Sequence, residues 1–263
     1  MIEARDLRVT LARREILRGA DIIARAGEVT CIVGPNGSGK TTLLRALTGE
    51  IKAEGEIRLD GQPLDRLSPT DLATRRAVLP QAARIAFPFT VLEVVRLGLL
   101  ASPEPDEALP AAALAAVGLA GFEGRFYHAL SGGEQQRCQL ARVLVQGWEP
   151  VVAGRPRWLF LDEPVAALDI GHQLAVMRIA EDYAARGGGV VAVMHDLNLT
   201  AMFARSVALV EAGRITAQGS ASEVLTTERL SRAYGCHLPV GAVPEGGDRP
   251  FLLPHGARPP RAV

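Results

Sequence analysis

The sequence predicts an α/β fold with a mainly parallel sheet and an inserted helical subdomain, and three observations carry that expectation. First, the apolar runs EVTCIVG (28–34), RWLFLDEP (157–164) and GGVVAVMHD (188–196) read as strands buried on both faces. Second, helical patterns alternate with them, notably DIGHQLAVMRIAEDYAAR (169–186) and NLTAMFA (198–204), as a parallel sheet with crossover helices requires. Third, between 82 and 154 the chain turns rich in Ala, Leu and Pro at helical spacing, as in TVLEVVRLGLL (90–100) and PAAALAAVGL (110–119).

Element by element, LRVTL (7–11) and ILRGADIIA (16–24) are short β-rich runs ahead of the buried strand 28–34. A helix is expected from about Lys40 to Leu47, then a hairpin arm in GEIRLDG (55–61) and a strand in RRAVLPQ (75–81). RSVALVEAG (205–213) reads as a further strand. The expected organisation is one domain of 263 residues, with a core of 1–81 plus 155–238, a helical subdomain of 82–154 and an irregular, Pro- and Gly-rich tail of 239–263. No internal repeat is apparent.

Bulk composition excludes several classes. Hydrophobic residues make up 48%, ample for a buried core, while 29 basic residues balance 29 acidic ones. That balance leaves no electrostatic footprint for nucleic acid or an anionic membrane. Cys31, Cys138 and Cys236 are far apart and show no C-x-x-C spacing, which fits a reduced interior rather than a disulfide framework or zinc site. The opening MIEARDLRV has no apolar run of signal-peptide type, and no stretch approaches the ~20 apolar residues of a membrane span.

The most specific motif is GPNGSGKT (34–41), a G-x-x-x-x-G-K-[ST] loop between a buried strand and a helix. Glycines let successive backbone N–H groups converge on phosphate oxygens, and the helix N-terminus adds its positive dipole end. Lys40 would reach the β/γ-phosphates, and the Thr41 hydroxyl would ligate Mg²⁺. WLFLDE (158–163) then supplies a strand ending in two carboxylates. Asp162 can hold the metal through water, and Glu163 can orient or deprotonate an attacking water. His195 closes VVAVMH and Gln81 closes RRAVLPQ, so both would lie at the carboxyl edge where open α/β sheets bind ligands. Taken alone, each serves equally well as a structural cap.

LSGGEQQRCQLARVLVQ (130–146) poses a puzzle. From Glu134 it reads as a helix with apolar Leu140, Val143 and Leu144, and Ser131 with Glu134 forms an S-x-x-E capping box. Yet Gly132 and Gly133 occupy the first turn, where each costs up to ~1 kcal/mol relative to Ala. The pair makes sense if the helix start is an anion-binding surface, with the Ser131 hydroxyl assisting. A nucleotide already held by one phosphate loop needs no second cradle in the same chain.

Together, 34–41, Gln81, 130–134, 159–163, 166–169 and His195 resemble the ATP-binding-cassette ATPases, whose signature is LSGGEQQR. The resemblance covers about 1–235 and implies a P-loop NTPase (RecA-like) core, an antiparallel β subdomain and a helical subdomain. It implies ATP and Mg²⁺ as cofactors. Phosphate would be bound by the loop of Gly34, Pro35, Asn36, Gly37, Ser38, Gly39, Lys40, Thr41 and Thr42. Thr41, Gln81 and Asp162 would place the metal and water, Glu163 would be the catalytic base and His195 would support the γ-phosphate. It further implies a head-to-tail homodimer in which Ser131, Gly132 and Gly133 cap ATP on the partner and Asp169 sits on the seam. Two positions depart from the family pattern. Leu11 stands where an aromatic residue often stacks on adenine, which opens the site to GTP, and Ala166 replaces the usual Ser or Asn.

Within that family, 195–235 looks like the ATPases of bacterial importers for iron-siderophores, cobalamin and haem. The stretches QGWEPVVAGRPRWLFLDEP (146–164), AALDIGHQ (166–173) and RPFLLPHG (249–256) resemble the haem-import branch. The implied partners are a transmembrane permease dimer and, indirectly, a periplasmic haem-binding protein, at the cytoplasmic face of the inner membrane. No nucleic acid and no direct cargo contact are expected. Cys236–His237, His128 and His172 are accordingly read as packing or surface groups rather than haem ligands. Phe87 and Phe89 are the candidates for permease contact. The alternatives are a siderophore or cobalamin importer, or a non-transport cassette of iron–sulfur-assembly type.

Overall fold

The computed structural model of the protein describes residues 1–82, 85, 87–102, 105–243, 252 and 254–256. Most of the tail beyond 243, including half of RPFLLPHG, lies outside the described residues, as do three positions of the loop after Gln81.

Strands β1 (Ile2–Leu11) and β2 (Arg14–Ala24) form a long antiparallel hairpin, followed by the buried β3 (Val29–Val33) and helix α1 (Lys40–Leu47). Strands β4 (Glu54–Leu59) and β5 (Gln62–Pro63) complete an antiparallel four-stranded sheet of order β2-β1-β4-β5. Helix α2 (Pro69–Arg75) leads into β6 (Arg76–Leu79). Helices α3 (Val91–Arg96), α4 (Leu109–Ala116) and α5 (Gly132–Gln146) follow, then the small hairpin of β7 (Val151–Val152) and β8 (Arg155–Pro156). The chain closes through β9 (Trp158–Asp162), α6 (Ile170–Ala185), β10 (Gly189–Val193), α7 (Leu197–Phe203), β11 (Ser206–Glu211), β12 (Arg214–Gly219), α8 (Ala221–Val224) and α9 (Thr227–Tyr234).

The main sheet has the order β12-β11-β3-β10-β9-β6. Every pairing in it is parallel except that of β12, which returns antiparallel on β11 at the edge. The fold is thus α/β, with a mainly parallel sheet beside an antiparallel one.

Alternation along the central strands divides the interior into two cores, because successive side chains point to opposite faces. Leu159, Leu161, Val190, Ala192, Val207 and Leu209 face a core shared with α3 to α7. Trp158, Phe160, Val191, Val193, Ala208 and Val210 face another, shared with α1 and the apolar side of β1 and β2. The continuous apolar runs are therefore two alternating sets, each with its own partner layer. Leu140, Val143 and Leu144 of α5 bury into the first core, and Cys31 and Cys138 are buried free thiols.

Several expected bounds shift. β6 ends at Leu79, leaving Gln81 two residues past the sheet, since Pro80 has no N–H to continue a ladder. β10 ends at Val193, although the Met194 N–H still reaches the Ile32 carbonyl (3.0 Å) before His195 leaves the sheet. α5, by contrast, starts where its capping box implies: Ser131 is the N-cap, the helix begins at Gly132, and both glycines lie in its first turn. Residues 154 and 155 lie in the β7–β8 hairpin, whose strands pair Val152 with Arg155.

Candidate functional site

The loop 34–41 leaves the carboxyl end of β3 and enters α1 through Gly39, a left-handed N-cap (φ 107°) with no side-chain cap bond. An uncapped first turn leaves its N–H groups available to an anion. Ser38 is buried with its Oγ lacking a partner, a polar atom awaiting something the chain does not supply. Pro35 is half-buried, Asn36 and Gly37 are exposed, and Thr42 is half-buried on the first turn of α1.

Lys40 is buried and folds back on its own loop, its Nζ donating to the carbonyls of Gly34 (2.8 Å) and Pro35 (3.0 Å). Burial pulls its ammonium below the usual lysine range, and the charges of Glu163 and Asp162 oppose that drift. The group is a cation held ready, with its remaining attraction directed at negative charge.

Asp162 ends β9, buried, and accepts from the Thr41 hydroxyl at 3.1 Å. Desolvation raises its carboxyl pKa, with the Thr41 hydrogen bond acting the other way. A hydroxyl and a carboxylate side by side are hard oxygen donors, the set a small divalent cation prefers. Gln81 lines the same cleft, together with Thr41, Asp162 and Glu50.

Glu163 follows with φ 53°, left-handed and uncommon for a residue with a side chain. Its N–H stays tied to the Val193 carbonyl (3.1 Å), while its carboxylate meets His195 Nε2 at 2.7 Å. The sheet edge thus brings together Lys40, Thr41, Gln81, Asp162, Glu163 and His195 from four separate segments.

A second group sits apart. Ser131 caps α5, its Oγ accepting from the Glu134 N–H (3.4 Å) while its own N–H donates to Glu134 Oε2 (2.7 Å). Asp169 caps α6, accepting from the His172 N–H (2.9 Å) and lying 2.8 Å from His172 Nδ1. Among the described residues no hydrogen bond joins 131–133 to the loop 34–42. Leu11 ends β1, paired with Arg14 and 41% exposed.

One linking residue escaped the sequence reading. Gln136 of α5 donates from Nε2 to the Glu163 carbonyl (2.7 Å) and accepts at Oε1 from the Ala167 N–H (3.1 Å). Only the tertiary arrangement shows this, since nothing in the motif separates Gln136 from its neighbour Gln135.

The geometry is that of a nucleoside-triphosphate site at a parallel-sheet edge. The sequence model of the family described as "ABC transporter" matches residues 17–166. The chain belongs to this family. It is an ATPase of the family, and it is similar over nearly its whole length to curated members. One is the Hemin import ATP-binding protein HmuV of Jannaschia sp. (strain CCS1), 63% identical over 98% of this chain and 96% of the relative. Another is the HmuV protein of Roseobacter denitrificans (strain ATCC 33942 / OCh 114), 56% identical over 97% of this chain and 98% of the relative. Among solved structures, an ATP-binding subunit of an ABC transporter shares the fold at TM-score 0.76 and 22% identity, covering 92% of this chain and 95% of its own. A bacterial Atm1-family ABC exporter with ATP bound matches at TM-score 0.74 and 26% identity, over 85% of this chain and 39% of the exporter. Among the described residues, no helix is long and apolar enough to cross a membrane.

Proposed function

We propose that the chain is the ATP-hydrolysing subunit of a bacterial haem importer, energising uptake through a separate permease. The observation that carries this reading is the 63% identity, nearly end to end, with a relative named for hemin import. Siderophore or cobalamin import is the nearest other cargo class, and a non-transport cassette the more distant one.

In this reading the amides of 34–41 and the Lys40 ammonium hold the phosphates, and the buried Ser38 hydroxyl gains the partner it lacks. Thr41 and Asp162 would hold Mg²⁺, with Gln81 ordering its water; the ion supplies charge neutralisation between the phosphates. Few protein ligands are expected, because Mg²⁺ keeps waters and substrate oxygens around it. Glu163 takes the proton of the attacking water, and His195 fixes the Glu163 carboxylate and supports the γ-phosphate.

Ser131, Gly132 and Gly133 then face ATP on a second copy, with Asp169 beside the seam. ATP favours the closed pair because it contacts both chains only there. The helical stretch 82–154 forms the permease-facing arm. Phe87, 70% exposed and 6.1 Å ring to ring from Phe89, is its foremost contact. The chain works at the cytoplasmic face of the membrane, held by the permease, and meets the periplasmic haem-binding protein only through it.

The test is uptake under iron limitation in cells lacking this gene, complemented with wild type or Glu163→Gln. Labelled haem, a ferric siderophore and cobalamin are compared. Loss of haem uptake alone, rescued only by wild type, is the expected result. Loss of siderophore or cobalamin uptake instead moves the cargo, and no loss at all points to a non-transport cassette.

A further inference from the structure

We propose that Gln136 is a positioning residue for ATP hydrolysis, coupling the start of α5 to the carboxylate of Glu163 in the same chain; this rests on the reading of Glu163 as the base. Three observations converge. The Gln136 amide spans the loop 163–168, donating to the Glu163 carbonyl (2.7 Å) and accepting from the Ala167 N–H (3.1 Å). Glu163 itself adopts a left-handed backbone (φ 53°), a conformation that needs support from its surroundings in a residue with a side chain. The same loop is held from its other side by Gln173 of α6, whose Nε2 donates to the Val165 carbonyl (3.3 Å). The loop after the carboxylate is therefore held by two helices, and the shortest of these three side-chain bonds comes from α5.

Gln136 lies three residues, and so about 4.5 Å along the helix, from Gly133. The first turn of α5 is rigidly boxed by Ser131 and Glu134, so a displacement of its tip moves the Gln136 amide with it. The Glu163 carbonyl must follow, and with it the carboxylate against His195. In the proposed pair, one turn of helix would face the partner's nucleotide at its tip and steer this chain's own carboxylate at its flank. In a two-fold pair that arrangement links the two sites reciprocally.

The test is steady-state ATP hydrolysis by the full chain as wild type, Gln136→Ala, Glu163→Gln and the double variant, with thermal melts as a folding control. Expected are a roughly tenfold lower kcat for Gln136→Ala, a KM for ATP within about twofold of wild type, and a near-native melt. In the Glu163→Gln background, Gln136→Ala changes the residual single-turnover rate by less than about twofold, because the group it positions is already gone. Should Gln136→Ala unfold, Gln136→Glu keeps the acceptor for Ala167, loses the donor, and carries the same expectations. An equal loss in both backgrounds, a loss confined to KM, or wild-type kcat in Gln136→Ala would overturn the proposal. Wild-type turnover in Glu163→Gln alone would instead overturn the base assignment on which it rests.

Discussion

A β-carbon placed on Gly133 would stand 3.0 Å from the Ala167 carbonyl oxygen, whereas one on Gly132 would meet no atom within 4 Å. The two glycines at the start of α5 thus differ in why they carry no side chain. Gly133 lets the helix lie close against the loop that follows Glu163. Gly132 has no packing reason inside the chain, which fits the proposed role of its bare surface toward a second copy.

That difference is measurable in the isolated chain. Gly132→Ala should raise stability by up to ~0.5 kcal/mol, the low end of the gain for a helical glycine, because Gly132 is the first residue of α5. Gly133→Ala should gain less or lose, since the tight contact forces the loop or the helix to shift. Urea unfolding should rank Gly132→Ala above Gly133→Ala, and the reverse order would contradict the packing account.

Leu11 should leave base selectivity weak. An aliphatic side chain can cover a base but offers no offset stacking, which aromatic pairs value at about 0.5–1.5 kcal/mol. GTP should therefore be hydrolysed with a KM within several-fold of ATP. Leu11→Tyr should lower the KM for ATP by roughly two- to tenfold with little change in kcat. An unchanged KM would place the base elsewhere.

Acid should loosen the helix starts. In the boxes of Ser68 with Asp71, Thr90 with Glu93, Ser131 with Glu134 and Ser220 with Glu223, hydrogen bonds from the Ser or Thr hold the carboxyl below its ordinary pKa. A depressed carboxyl stabilises fully above its unfolded value, 4.5 for Glu and 3.8 for Asp, and that stability is lost as pH falls through the folded value. The melting temperature should fall below about pH 4.5. A variant with Asp71→Asn, Glu93→Gln, Glu134→Gln and Glu223→Gln should show a shallower fall. Identical slopes would mean that other carboxylates govern acid stability.

Much of the fold was readable from pattern alone. The run 28–34 and the loop after it gave β3 and α1 because burial on both faces leaves a strand no polar alternation, and a glycine loop before Lys40 marks the helix start. β12 went unread, since as an edge strand its residues alternate only between exposed and half-buried, a weak signal. The short helices α2, α8 and α9 were likewise unread, although Ser68 and Ser220 head capping boxes. Two and a half turns or less give periodicity little to act on. In the site, phosphate-loop and carboxylate residues announced themselves by motif. The His195–Glu163 contact, the left-handed Glu163 and the Gln136 bridge depend on how α5, β9 and β10 meet in space, which no local spacing encodes.

In the proposed function, Glu163 drives hydrolysis in a site that a second copy of the chain completes. Sizing chromatography of Glu163→Gln with and without ATP and Mg²⁺ tests it most directly. An ATP-dependent shift from monomer to stable dimer is expected, with hydrolysis nearly abolished. A Glu163→Gln chain that stays monomeric with ATP and hydrolyses it at the wild-type rate would contradict it.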